Sequence, residues 1–374
     1  MKRVFTAMTA LVGFATAVAA EDAPADGRGV FGFYGQINRG VLSYDDGLSR
    51  DEYWFVDNSK SVSRIGATWV QDMRDGWRFR ARGELALRWK ETNRIDQDNP
   101  HDRDYKFDRG EIRKVEVEFR HDDFGVLFAG QGAMAADGFT GLDLSLTTVV
   151  AGTPVQDAAG GMFLRRVDGA NSTLRIRQAF RSMGSSRRLR LRYDSPMLGG
   201  WRLAIAAGRE VVSEASSSQF GKIFADASAR YDGDHGDFRL RGGGAYRWIE
   251  NGKNVFIASG SVLHRPSGWN FTLATGHEAA GGRYSYGKIG YIARWFDIGQ
   301  TALSIDYYSG QDLYGGNIAG AGNGDSVSYG FAVVQKMRDP KIDFYALIRR
   351  YEYDTPTVAY HDSIAFLAGA RWQF

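Results

Sequence analysis

One stretch, WRFRARGELALRWK at residues 77–90, limits what this chain can become. Read at period two, Trp77, Phe79, Ala81, Gly83, Leu85, Leu87 and Trp89 share one face. The other face carries Arg78, Arg80, Arg82, Glu84, Ala86, Arg88 and Lys90. A strand sends successive side chains to opposite sides, so one side is apolar and the other densely charged. Helical spacing would scatter the arginines around a cylinder and leave neither face intact. Aromatics at both ends of the apolar face, with small and aliphatic residues between, have the form of a lipid-facing band. An arginine at the bilayer midplane costs about 2–4 kcal/mol, so the charged face must line water. The stretch therefore reads as one stave of a pore wall.

The rest of the composition is consistent with that reading. The chain opens with Met1, Lys2 and Arg3, runs apolar from Val4 to Val18, and reaches Val18-Ala19-Ala20 before Glu21. This predicts a cleaved secretory leader over residues 1–20, too short to be a membrane span. Residues 21–374 then form a single domain. Losing Lys2 and Arg3 lowers the formal net charge from +3 to +1, with both signs interspersed, which argues against a nucleic-acid partner. There is no cysteine, so an exported chain must rely on hydrogen bonding and packing, which a closed sheet supplies. No later apolar run is long enough for a helical span.

From Asp26 onward, alternating segments of roughly ten residues are separated by turn chemistry. Short spacers rich in Gly, Pro and Asp fall at 72–76, 121–125, 194–200, 232–236, 265–268, 296–300 and 337–340. Long spacers run at about 44–62, 91–110, 131–185, 210–221, 249–253, 277–285, 309–325 and 352–362. Seven short and eight long connections join sixteen strands, an even number with unequal ends. The fold class expected is all-β: a 16-stranded antiparallel transmembrane β-barrel with an inward-folded long third loop, about 131–185. Trp69, Trp77, Trp201, Trp269, Trp295 and Trp372 sit beside short turns and form a candidate aromatic girdle. The last strand alternates from Ser363 to Phe374 and is expected to close on the first, near Phe31–Val41.

Four places in the chain resemble one family. Tyr34-Gly35-Gln36-Ile37-Asn38-Arg39 is followed by Phe55-Val56-Asp57-Asn58-Ser59 and Ser63-Arg64-Ile65-Gly66. Val115-Glu116-Val117-Glu118-Phe119 leads through a tight turn to Gly130-Gln131-Gly132, and Leu191-Arg192-Tyr193-Asp194-Ser195-Pro196 precedes a glycine turn. The chain ends on Phe374. Their order resembles the general-diffusion porins of Gram-negative bacteria, of the alphaproteobacterial type. The resemblance implies an outer-membrane channel for passive diffusion of small hydrophilic solutes and ions. It also implies a homotrimer in the lipid bilayer, with Phe374 read by the barrel-assembly machinery.

In that family the third loop narrows the barrel, its carboxylates facing a ladder of wall arginines. Carried over residue by residue, the basic wall is Arg64, Arg80, Arg82, Arg113, Arg188 and Arg190, and the acidic loop side is Asp137, Asp143 and Asp157. Strict alternation from Val115 would turn Arg113 outward unless a bulge or the strand end intervenes. Opposed walls of charge would set a transverse field across the narrowest point. The loop's second half, with alternation at 162–167 and 173–179, is either an insertion in or above the lumen or two strands beyond sixteen. The insertion is favoured, because residues 188–196 already match the family's sixth strand. The cations Arg165, Arg166, Arg175 and Arg177 in that half lean the expectation toward anions.

The same residues bear on two other classes of function. An outer-membrane enzyme would need a nucleophile or acid–base group with partners on one face. His101, His121, His235, His264, His277 and His361 fall mostly in turns and lack metal-site spacing, and Gly242-Gly243-Gly244 opens no helix that could cradle phosphate. Calcium at Asp45-Asp46 or Asp122-Asp123 is unsupported by ligand spacing, so no cofactor is expected. A substrate-specific channel would want aromatics along the lumen, for which only Tyr308, Tyr314 and Tyr345 stand out.

Overall fold

The computed structural model describes residues 29–169, 171–279 and 281–374; the leader expected over residues 1–20 lies outside them. The wall begins with β1 (Val30–Asp45), β2 (Arg50–Asp57), β3 (Arg64–Asp72), β4 (Arg78–Ala86), β5 (Ile112–His121) and β6 (Gly125–Ala133). A small separate sheet follows, β7 (Phe163–Arg165) and β8 (Asn171–Arg175), ended by one helical turn, α1 (Ile176–Ala179). The wall resumes with β9 (Arg187–Asp194), β10 (Trp201–Arg209), β11 (Ile223–His235), β12 (Phe238–Ile249) and β13 (Val255–His264). It ends with β14 (Trp269–Glu278), β15 (Arg283–Phe296), β16 (Gly299–Gln311), β17 (Asp325–Met337), β18 (Ile342–Asp354) and β19 (Ser363–Gln373).

Each wall strand pairs antiparallel with its neighbours, and β19 pairs back on β1 from Gln36↔Gln373 to Asp45↔Ile364. The Gly35 and Phe374 backbones exchange both hydrogen bonds, at 2.9 and 3.1 Å, and seal the seam. The result is a closed sixteen-stranded barrel in which one wall strand is broken. β1 pairs with β3 along its first half and with β2 along its second. Closure leaves no unpaired edge, so a lipid-embedded wall carries no unsatisfied backbone.

Burial is inverted relative to a soluble domain. In β14, Trp269, Phe271 and Leu273 are exposed, while Asn270 and Thr272 between them are buried. Ile289, Ile305, Phe331, Ile348 and Phe366 continue the exposed apolar belt on β15 to β19. Hydrocarbon is the solvent such a surface fits.

All seven short turns lie where the sequence places them. Three details differ from expectation. Residues 44–62 are not a long loop: β1 and β2 extend into it as a hairpin around 46–49, where the Asp46 carboxylate accepts from the amides of Leu48 and Ser49. β4 stops at Ala86 rather than reaching Lys90, whose backbone is left-handed (φ 57°). The alternating pieces after residue 161 form the β7–β8 hairpin, outside the barrel sheet, so the wall count stays at sixteen.

Candidate channel lining and constriction

β3, β4, β5, β6 and β9 stand side by side, and alternation brings their charged positions onto one inner face. The six expected arginines are all there, but interleaved with glutamates. Glu84 accepts from Arg113 Nε at 2.5 Å and from the Tyr34 hydroxyl at 2.9 Å, and lies 3.9 Å from Arg64 Nε. Glu116 is hydrogen-bonded by Arg190 and lies 3.3 Å from Arg82 and 3.7 Å from Lys114. Glu118 is hydrogen-bonded by Arg80 and lies 2.9 Å from Arg120. Arg188 pairs with Glu210 at 2.8 Å. The signal for Glu116 and Glu118 was the VEVEF alternation, which puts both on the inner face.

Arg113 comes inward through a bulge. The β4–β5 register steps between Glu84↔Lys114 and Leu85↔Ile112, leaving Arg113 without an opposite residue. Val115 faces outward and is exposed, while both Lys114 and Arg113 reach inner carboxylates. One extra residue on one strand produces just this break in parity.

The segment from Met134 to Ser186 leaves the wall at this ladder, where Arg190 Nε and Arg192 donate to the carbonyls of Ala133 and Met134 at 3.0 and 2.9 Å. It then lies against the inner faces of the opposite strands. The Ala136 amide donates to Asp226 of β11, and the Leu144 amide to Ser261 of β13, each at 3.0 Å. Thr147 meets Ser304 of β16 at 2.9 Å, and the Tyr351 hydroxyl of β18 donates to the Val155 carbonyl at 2.7 Å. The Lys288 ammonium of β15 donates to Asp143 (2.6 Å), Thr147 (3.1 Å), Ser145 (3.2 Å) and the Ala151 carbonyl (3.2 Å).

Of the three loop aspartates, two are turned into the packing. Asp143 is buried against Lys288. Burial raises its carboxyl, but the ammonium and the bonds from Ser145 pull it below its usual value. Asp157 is also enclosed; its carboxylate accepts from Asn93 at 3.2 Å, and burial pushes it up against the opposing pull of Lys60. Asp137 is half-buried on the lumen side and, among the described residues, makes no ion pair within 4 Å. Sequence parity could not separate these three, because the loop follows no strand period.

Several functional positions were not foreseen. The Gly242-Gly243-Gly244 run is a socket: a Cβ on Gly243 would lie 3.0 Å from the Phe139 ring, which is itself buried under Arg230 at 4.7 Å. Residues 58–63, which interrupt the second wall strand, tie wall to loop through Asn58 Nδ2 and the Val149 carbonyl at 3.0 Å. Arg187, beside Arg113 and Asp137, has no carboxylate partner within 4 Å among the described residues. Tyr308 and Tyr345 are buried and donate to the Arg181 carbonyl and Asn38 Oδ1, at 2.7 and 2.6 Å, so they brace the packing rather than line a path. Tyr314 holds its own loop through the Ile318 amide. The six expected girdle tryptophans all lie at the short-turn rim, on strand ends that antiparallel pairing brings to one end of the barrel.

The chain matches a family model described as Gram-negative porin over residues 7–356. Among solved structures it is similar to an anion-selective porin from Comamonas acidovorans, with a TM-score of 0.59 and 12% identity, covering 93% of this chain and 100% of that one. It is also similar to OprB of Pseudomonas putida, with a TM-score of 0.59 and 8% identity over 92% and 94% of the two chains. The outer-membrane-expressed OmpT of Vibrio cholerae gives a TM-score of 0.54 and 12% identity over 95% and 100%. At these identities the likeness shows the fold alone. Comparison with curated protein sequences gives no match.

Proposed function

This chain belongs to the Gram-negative porin family, and from that premise we propose how its lumen sorts solutes. The protein is an outer-membrane channel for passive diffusion of small hydrophilic solutes. In our reading the basic wall and the inserted loop form the narrow part, and no chemical step accompanies passage. The observation that supports this best is the unequal sharing of charge. Seven cations, from Arg64 to Arg190, share Glu84, Glu116 and Glu118, while of Asp137, Asp143 and Asp157 only Asp137 stays out of the packing. A surplus of guanidinium in a confined, weakly screened space favours anions.

The test is single-channel recording across a salt gradient in planar bilayers. Replacing Arg80, Arg82 and Arg190 with Ala is expected to move the reversal potential toward cations. An unchanged potential with a correctly inserted barrel would remove these residues from the selective region.

Association as a homotrimer and recognition of Phe374 by the assembly machinery are carried over from the family. The outer face of β1 gives some support for association. Arg39 on that face is held by Phe55 and Trp89, 5.2 and 5.9 Å from the ring centres, and paired with Asp57 at 3.5 Å. A charge beside exposed aromatics is better covered by protein than by hydrocarbon. Sedimentation of the detergent-extracted protein at three protomer masses is expected; a monomer would remove the proposal.

A further inference from the structure

The two sides of the narrow lumen differ in more than charge. From Leu144 to Val149 the loop's side chains alternate between less buried and buried. Leu142, Ser145 and Thr147 are buried against β13, β15 and β16, the Asp143 carboxylate goes with them to Lys288, and Val149 is buried beside Asn58. Leu144 and Leu146 are half-buried and belong to no core cluster, and Thr148 is exposed. The backbone at Leu146 is left-handed (φ 62°), a conformation costly for a leucine. The strands under this segment, β13 to β16, stand about half the strand order away from the ladder, where Arg187 lacks a carboxylate and Arg64 is only loosely served at 3.9 Å.

We propose that the narrow part of this channel prefers organic anions, carboxylates carrying a short apolar body, over inorganic anions of the same charge. The inference rests on reading the lumen as an anion-favouring passive channel and names the class of solute that reading leaves open. The chemistry is complementary on both sides. A guanidinium is weakly hydrated and meets a carboxylate through two parallel hydrogen bonds, so a carboxylate gains more from the ladder than a spherical halide does. The leucine rim gives the apolar end a surface that withdraws it from water. Each methylene fully sheltered from water favours the bound state by about fourfold, so even partial shelter is readable. Contacts of this strength still let the solute leave, which conduction requires. Asp137 opposes the effect, but it faces Arg187, Arg188 and Arg230 as well as the solute.

The experiment measures bi-ionic reversal potentials of the reconstituted full-length wild-type channel, with potassium chloride on one side and potassium acetate, propionate, butyrate or benzoate on the other. The expected result is a permeability relative to chloride that exceeds the ratio of bulk mobilities and rises from acetate to butyrate, by about twofold or more. Replacing Leu144 and Leu146 with Asn is expected to flatten that rise, and the triple arginine variant to lower all four carboxylates together. Ratios that fall along the series in step with mobility, in a channel still anion-selective in chloride, overturn this inference alone. A cation-selective or non-conducting wild type overturns both the inference and the reading beneath it.

Discussion

Replacing Lys288 with Met should release the long loop between β6 and β9. The ammonium carries three protons and sits among four loop acceptors between Asp143 and Ala151, with its side chain fully buried and that of Asp143 only 3% exposed. Methionine keeps most of the volume, so packing is little changed. What remains is a buried carboxylate without its counter-charge. Breaking such a pair from one side costs about 3–5 kcal/mol. The wall does not depend on this contact, so the cost falls on the docked state of the loop. Its opening equilibrium should rise by about two orders of magnitude or more. Hydrogen exchange of the amides from Asp143 to Ala151 reads this directly, and single-channel current noise reads it at the pore. The double variant Lys288→Met, Asp143→Leu removes both charges and should recover most of the protection, as apolar replacement of a buried pair is often nearly neutral. Wild-type exchange in the single variant would refute the idea that this ammonium staples the loop.

Three further outcomes follow from the same packing. Phe139→Ala empties the socket at Gly243 and should loosen the loop by about 3–5 kcal/mol, seen as faster proteolytic nicking near Gly138–Gly141; unchanged nicking would show that the ring is not an anchor. Glu91 is enclosed in the 87–111 loop, and burial pushes its carboxyl up to about 7 against the pull of Arg88. A raised carboxyl binds its proton more tightly when folded, so local stability should be greatest below about pH 4.5. It should fall by about 3 kcal/mol as pH rises to about 7, and Glu91→Gln should abolish that slope in the exchange of the 91–95 amides. Deleting Phe374 removes both hydrogen bonds to Gly35 at the closing seam and is expected to lower the outer-membrane yield of folded barrel; a normal yield would count against any part in assembly.

The wall was legible in the sequence because two solvents enforce period two along each strand. A one-residue slip in WRFRARGELALRWK would put three arginines into hydrocarbon, so register and face follow from the residues alone. The turns were legible for a related reason: Gly, Pro and Asp carry local backbone geometry that needs no partner. Legibility ended where period two ended. Arg113 needed a bulge, whose place is decided by pairing with β4 and not by its own strand. Asp143 and Asp157 looked like lumen carboxylates because nothing local marks Lys288 or Lys60 as their partners. The glycine run at 242–244 stood out, but its meaning lay in Phe139, about a hundred residues away. The break at 58–63 falls mostly inside the long spacer at about 44–62, and nothing local marks it off from the strand that resumes on both sides.

These misplaced carboxylates change what the lumen can do. A transverse field needs mobile solutes to see both signs at once, which requires loop carboxylates facing the ladder. Here two of the loop's carboxylates are taken up in packing, Asp143 against Lys288 of the wall and Asp157 against Asn93. Each wall glutamate is in turn shared among two or three cations, which fixes the guanidinium groups in place without cancelling them. Charge that is held by neighbours but not neutralised is preorganised, so an entering anion need not reorder the wall to be stabilised by it. At physiological salt, screening acts over about 8 Å, and a confined lumen admits few counter-ions to provide it. Attraction should therefore be set by the surplus of cations over carboxylates along β3, β4, β5 and β9, and only secondarily by Asp137. In the proposed reading the loop brings solutes within reach of that surplus, so its anchors should matter as much as the arginines.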